Sequence, residues 1–261
     1  MKRLKYSSVL PPLIFGAALI LLLQCGVIHK IFNIKILQLP LPLDIAAAFT
    51  GAADSIPENA VTTLVPSVTG LALGSIIGYA AALLATAFPD RGYGGLFIMT
   101  MINSVPIVAL APLMNRWFEN DFAAKLAVIT IVVSGIMAVN AFRGLNDLPE
   151  NGLELMKANG SSASDVFIKL RIPNSLPAVF TALKIGVSSA MLATIISEFF
   201  SSETSGMGYM IKYTLKVGNM KQLGWAYIAA ISILSIIIYG IICMAEKRVT
   251  GWHVSQQIDM K

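Results

Sequence analysis

Charge is scarce in this chain. Only 13% of its 261 residues are Asp, Glu, Lys or Arg, about half the share of a soluble globular domain. That shortage excludes a solvent-covered fold. Cysteine is nearly absent, and Cys25 and Cys243 both sit inside apolar runs, so neither a disulfide framework nor a thiolate metal site is on offer. His29 and His253 are isolated, with no ligand spacing and no nucleophile beside them. No Gly-x-x-x-x-Gly-Lys-Ser/Thr phosphate loop occurs, which excludes the usual mode of ATP binding. Internal repeats and low-complexity stretches are missing too, which argues against an inverted-repeat carrier.

What is present is apolar. The chain is 56% hydrophobic with mean hydropathy +0.74, and several of its runs reach the ~20 residues that cross a bilayer core. A net charge of +5 could suggest nucleic acid, but the basic residues cluster between apolar runs, so no nucleic-acid partner is expected. Lys2, Arg3 and Lys5 precede an apolar run over 9–28. The bulky Gln24 before Cys25 is unsuited to lipoprotein cleavage, so this run is read as a retained first transmembrane helix. Pro40 and Pro42 then lead into a short amphipathic helix that Asp44 can cap, ending near Ala53 and lying in the interface.

The second span is expected over 61–88. Gly70, Gly74, Gly78 and Ala82 recur at steps of four and form a small-residue ridge for close helix approach. Packing inside the subunit is the simpler use of this ridge, and a subunit interface is the other. PDRGYGG reads as a short turn broken at Pro89. The third span, 96–114, is interrupted by NSVPIVALAP. Asn103, Ser104 and Pro106 place polar and irregular backbone at membrane depth, which is tolerated only in protein or beside a water-filled cavity. They are candidates for a translocation path, against the alternative of a kinked packing helix.

The fourth span is expected over 123–142 and the fifth over 178–200. The fifth carries Ser189, Thr194 and Glu198. A carboxylate inside apolar sequence implies a job or a partner. Glu198 could line the path, or it could bond the backbone of the SSETSGMGYM loop. No second ionisable partner for it is evident. The sixth span, 225–244, ends in EKR with Trp252 suited to the interface. With six spans and the N-terminus inside, 12 of the 19 basic residues fall on the inner side, which favours cytoplasmic termini.

The longest polar stretch, ELMKANGSSASDVFIKLRIP over 154–173, lies on that inner side. Leu148, Leu153 and Met156 suggest a first short helix, stopped at Gly160, where only glycine takes positive φ without cost. Ser161 and Ser162 are ready N-caps for a second. Ala163, Val166, Phe167 and Leu170 form an apolar stripe on it, and Pro173 and Pro177 are expected to end it.

The spacing of this stretch resembles the cytoplasmic loop of binding-protein-dependent ABC importer permeases: Glu-Ala-Ala, three residues, Gly, nine residues, Ile-x-Leu-Pro. Glu154, Leu155 and Met156 take the first places, Gly160 follows after three, and Leu170, Ile172 and Pro173 close it. Pro112, Trp117 and Phe118 resemble a turn of the sulfonate, taurine and nitrate permeases, which have thiamine-pyrimidine and riboflavin relatives. Gly206 and Gly208 match a Gly-x-Gly that follows an acidic residue in such proteins.

The resemblance implies an all-α integral membrane protein with about six transmembrane helices of the type I importer kind, both termini cytoplasmic. It divides the chain into a first helix with an external interfacial segment (1–60), a permease core (61–248) with an ATPase-docking loop (144–177), and a cytoplasmic tail (249–261). Glu154, Gly160, Ser162, Val166, Phe167, Leu170 and Pro173 would meet the ATPase. The implied partners are ABC ATPase subunits, a second permease copy in a homodimer, an external solute-binding protein and the lipid bilayer of the cell membrane. ATP and Mg would be bound by the ATPase, and this chain would be no enzyme and hold no cofactor. The implied cargo is a small solute of the sulfonate, taurine, nitrate or vitamin-precursor class. A different class, an ATP-independent carrier, would use Glu198 as a proton or ion site, and a non-transporting scaffold would move no solute.

Overall fold

The computed structural model describes residues 3–217 and 220–251, without the side chains of residues 3–9, 89–91, 93, 102 and 103. Among the described residues the regular structure is helical. In chain order the helices are α1 (Arg3–Gln24), α2 (Val27–Phe32), α3 (Pro42–Gly51), α4 (Ser55–Ala87), α5 (Pro89–Asn103), α6 (Ile107–Trp117), α7 (Asp121–Asn146), α8 (Gly152–Ala158), α9 (Ala163–Val166), a π turn (Phe167–Arg171), α10 (Ile172–Phe200), α11 (Met207–Lys216) and α12 (Lys221–Val249). Trp252 lies outside the described residues.

Among the described residues, four continuous helical stretches are long and apolar enough to cross a membrane: α4, α7, Ala163–Phe200 and α12. In α1 the qualifying apolar stretch is the shorter Leu10–Gln24. The stretch α4, at 33 residues, spans about 50 Å at 1.5 Å per residue. Over half of the apolar window of α7 is buried, 56%, against 11% for α12, so α7 is the axis and α12 the rim. Leu13, Phe15, Ile76, Ile236 and Met244 are exposed, as expected of side chains whose solvent is lipid.

The glycine ridge decides how α4 meets that axis. A methyl added at Gly70 would lie 2.5 Å from an Ile129 carbon, at Gly74 2.7 Å from Val133 Cβ, and at Gly78 2.3 Å from the Ser134 carbonyl oxygen. The ridge therefore packs inside the chain, backbone close to backbone, which in lipid replaces the missing hydrophobic drive. Ala82 continues it into a cluster with Met137, Ala141, Leu145 and Ala182.

Several local expectations are corrected. PDRGYGG is not a turn: the chain reverses at Phe88, and α5 runs through the glycines from Pro89. Gly92 permits the reversal, since a Cβ there would sit 2.2 Å from Ala85 Cα. The interruption expected in the third span is present, and it divides the span into two helices of 15 and 11 residues, each short of a bilayer. The break falls at Pro106, which takes an extended φ of −60° and ψ of 126° and disfavours helix in the residue before it. Asp44 does not cap α3. Leu41 holds that position with Pro42 next, and Asp44 stands in the first turn, where its charge favours the helix dipole.

Pro173 and Pro177 do not end the helix begun at Ala163. It continues through both to Phe200 as one 38-residue stretch. A π turn precedes Pro173, with the Ile172 N–H donating to the Phe167 carbonyl. Such a local adjustment re-satisfies backbone groups around a proline.

Candidate functional site

Two polar regions stand out on the apolar bundle, one at each end of α10. The first is the 144–177 loop. Helix α8 closes in a Schellman motif: the Gly160 N–H donates to the Lys157 carbonyl and the Ser161 N–H to that of Met156, both at 3.0 Å. Gly160 has φ +68° and open space around its missing Cβ, so glycine is required there by backbone conformation alone. Ser162 opens α9 with a full capping box. Its Oγ accepts from the Asp165 N–H at 3.1 Å, and the Asp165 carboxylate accepts from the Ser162 N–H at 3.3 Å. Ser161 does not cap α9, and its N–H serves the Schellman turn instead.

The loop is stapled to the C-terminus of α7. Arg171 donates to the Leu145 carbonyl at 3.0 Å and to Asn146 Oδ1 at 2.8 Å, and Asn174 donates to the carbonyls of Gly144 and Asp147 at 2.9 and 2.8 Å. The Gly144 and Leu145 carbonyls are among those that the helix itself cannot satisfy. Sequence reading passed over Arg171 and Asn174, because 25 to 30 residues separate them from the α7 groups they meet.

The apolar stripe is turned differently from the expectation. Val166 is buried, Phe167 and Leu170 are half-buried, and Leu170 lies beside Gly152 of α8. The apolar groups that project are Leu155, 65% exposed, and Ile168, 62%. Glu154 and Ser162 are exposed, and Pro173 is half-buried. The loop thus uses part of its predicted stripe to hold itself together and presents two other side chains outward.

The second region gathers Thr194 and Glu198 from α10 with Asn59, Thr63 and Ser67, one face of α4 at steps of four. Thr63 Oγ1 donates to Glu198 Oε1 at 2.9 Å and accepts from the Met207 N–H at 2.9 Å. The Gly208 N–H reaches Glu198 Oε2 at 2.7 Å, and the Gly206 N–H reaches Asn59 Oδ1 at 2.8 Å. Ser67 and Thr194 share a bond of 2.7 Å. The Gly-x-Gly is explained by contact: a Cβ on Gly206 or Gly208 would lie 2.7 or 2.8 Å from the Glu198 carboxyl group.

Glu198 therefore bonds the loop backbone, the second of the two roles open to it. It also has an ionisable neighbour, which corrects the expectation of none. Lys125 of α7, 1% exposed, lies 3.9 Å from Glu198 Oε1 and pairs directly with Glu203. Sequence could not show this, because 73 and 78 residues separate Lys125 from the two carboxylates (198 − 125 and 203 − 125).

The proposed path residues are not brought together. Ser104 and Pro106 are exposed at the α5–α6 break, with Ser104 Oγ donating to the Thr100 carbonyl. Ser189 is half-buried, while Thr194 and Glu198 are buried against α4. The Asn103 side chain lies outside the described residues. Among the described residues no three His, Cys, Asp or Glu side chains form a group that could hold a metal ion.

Comparison with known proteins agrees with this architecture. The chain is 28% identical over 159 residues to a probable ABC transporter permease protein of Haemophilus influenzae, covering 61% of this chain and 64% of that protein. It is 25% identical over 220 residues to the formylaminopyrimidine transport permease protein ThiX of Halalkalibacterium halodurans, covering 84% and 87%. The match thus spans just under two thirds of the first relative and most of the second. The nitrate import permease protein NrtB of Leptolyngbya laminosa is 24% identical, over 80% of this chain and 69% of that protein.

Among solved structures, a chain of an amino acid ABC transporter superposes with TM-score 0.64 at 13% identity, covering 76% of this chain and 96% of that one. A chain of the MetNI methionine transporter gives 0.59 at 16%, covering 76% and 95%. These likenesses show the fold. Residues 70–251 match the family described as the binding-protein-dependent transport system inner membrane component, and the chain belongs to that family of multi-pass permeases.

Proposed function

We propose that this chain is the permease subunit of an ABC importer of the cell membrane, moving a small solute under the drive of separate ATPase subunits. The observation that carries this reading is the 144–177 loop, whose two outward apolar side chains stand on α8 (Leu155) and on the Ala163–Phe200 span itself (Ile168). An ATPase that holds Leu155 and Ile168 holds one end of a rod that crosses the membrane. ATP can drive transport through that rod only if the ATPases grip the loop differently in the inward-open and outward-open states.

ATP and Mg belong to the partner. The remaining partners are a second copy of the permease and an external solute-binding protein. Six crossings follow if α1 spans and α5 and α6 together make one broken crossing, with both termini cytoplasmic and the Glu198 region outside. The relatives named above carry formylaminopyrimidine and nitrate by their names, and a taurine permease of Escherichia coli is 25% identical. These names span several solutes, and within that range we read the cargo as a small solute of the sulfonate, taurine, nitrate or vitamin-precursor class. The carrier alternative is disfavoured because the Glu198 oxygens are already occupied by Thr63 and Gly208.

The test is purification of the tagged chain from its native membrane, with and without Ile168→Asp. Ile168 is the better probe than the half-buried Phe167, because a charge at an exposed site spares the fold. A P-loop ATPase should accompany the unaltered chain and be lost from the variant. A chain that purifies without any ATPase and still moves solute would overturn the reading.

A further inference from the structure

Lys125 faces two carboxylates with one positive charge. It pairs with Glu203, whose side chain is 32% exposed, and stands 3.9 Å from Glu198, whose side chain is 1% exposed. The two acids sit on different bodies. Glu198 belongs to the rigid end of α10, whereas Glu203 belongs to the irregular 201–206 segment that leads into α11. That segment and α11 supply the Gly208 N–H to Glu198 and the Met207 N–H to Thr63. Two more charged groups stand nearby: Asp121, which accepts from Ser201 and Ser202 at 2.8 and 3.0 Å, and Lys212 of α11, which donates to the Phe199 carbonyl at 2.8 Å.

Separation of residues 201–216 from α7 and α10 would strip Glu198 of its Gly208 donor and Lys125 of its Glu203 partner at the same time. The two stripped groups are already neighbours. We propose that Lys125 exchanges carboxylates as this segment lifts, holding Glu203 when the external end is closed and Glu198 when it is open. A buried charge without a partner is the expensive state, and the exchange avoids it in both positions. The bundle end then has two stable arrangements, which a moving gate needs. This inference rests on the importer reading for which side is external, but the exchange itself does not depend on the ATPase.

The exchange predicts opposite signs for changes to its members, where a plain structural ion pair predicts one sign. Glu203→Gln removes only the closed-state partner and favours lifting. Glu198→Gln removes what the lifted state needs. Lys125→Met takes a partner from both states but costs the lifted one more, since Glu203 reaches water when left alone whereas a lifted Glu198 would have neither Gly208 nor Lys125. Lifting is read by adding Met207→Cys to a chain with Cys25 and Cys243 replaced by alanine. The Met207 side chain is fully buried when the segment lies down. A membrane-impermeant maleimide is applied to spheroplasts of the native host.

Labelling should rise about two- to fivefold in Glu203→Gln, the range of a partly exposed pair. It should fall about tenfold or more in Glu198→Gln and Lys125→Met, where a buried charge is left alone in the lifted state. Glu198→Gln carries the test if Lys125→Met does not assemble, since the amide oxygen can still accept from Gly208. A rise in all the variants would overturn the exchange and leave a structural bridge. The predicted signs seen only with reagent on the cytoplasmic side would keep the exchange and overturn the orientation.

Discussion

The two ends of α10 solve the same problem, polar groups on an apolar bundle, by opposite means. At the Ala163 end the bonds are mostly local: Ser162 with Asp165, Ser161 with Met156, Ile172 with Phe167. At the Glu198 end they join residues far apart in the chain, with Thr63 bonded to Glu198 across 135 positions and Met207 to Thr63 across 144. One end is exposed and shaped by motifs a short peptide could form, with Arg171 and Asn174 tying it to the end of α7. The other is buried and exists only when α4, α7, α10 and α11 have come together. A surface offered to a partner must survive exposure to water, whereas a network sealed in lipid must satisfy every group internally.

Matched substitutions at the two ends sharpen this contrast. Gly208→Ala should have the largest effect. Its methyl would meet the Glu198 carboxylate and the Ile195 carbonyl, both at 2.8 Å, so either the N–H bond to Glu198 breaks or α11 moves. The combined cost is roughly 3 kcal/mol or more. Little folded protein should be recovered, with a marked fall in the detergent Tm of what remains. Near-normal recovery would mean that Glu198 is not the anchor of α11.

Next is Thr63→Val, which keeps the shape but leaves Glu198 without a hydroxyl donor and the Met207 N–H without an acceptor. Buried groups left unpaired each cost about 1–3 kcal/mol. The melting temperature should fall by several degrees, with α11 more accessible to protease. The counterpart at the exposed end is Ser162→Ala. It also removes one hydroxyl, but water can replace the lost bond, so about 1 kcal/mol is expected. If Thr63→Val proved no worse than Ser162→Ala, the contrast between a sealed and an open end would fail.

What sequence reading could reach follows the same division. The stop at Gly160 and the cap at Ser162 were legible because each depends on neighbours within a few residues. The α4 ridge was legible as a ridge, since glycines at steps of four share a face whatever they touch. That it meets Ile129 and Val133 of α7 was not. The prolines were legible in one place and misleading in another. Pro106 broke a span as its missing N–H suggests, yet Pro173 and Pro177 did not, because the π turn before them absorbs the misfit. The Lys125, Glu198 and Glu203 cluster left no local trace, and only the folded chain assembles it.

Gly160→Ala is a weaker probe of the exposed end. With no atom within 4 Å of the added methyl, the only penalty is holding alanine at φ +68°, about 1 kcal/mol. The chain should fold and reach the membrane at nearly normal levels. Uptake is the discriminating readout, because a small shift in how α8 meets α9 moves Leu155 relative to Ile168. A loss of uptake with the ATPase still bound would show that docking geometry, beyond docking itself, transmits the stroke.

The smallest effect is expected from Lys169→Ala. Lys169 pairs with Asp165 one turn away, but its side chain is 69% exposed, and exposed pairs at this spacing add little and are screened by salt. Melting temperature and uptake should both stay within error of the unaltered chain at physiological salt. The comparison is again with Lys125, which is buried, so that salt screens its pairing much less. If Lys169→Ala abolished uptake while sparing stability, its ammonium would have to contact the ATPase directly, and the docking surface would then be charged as well as apolar.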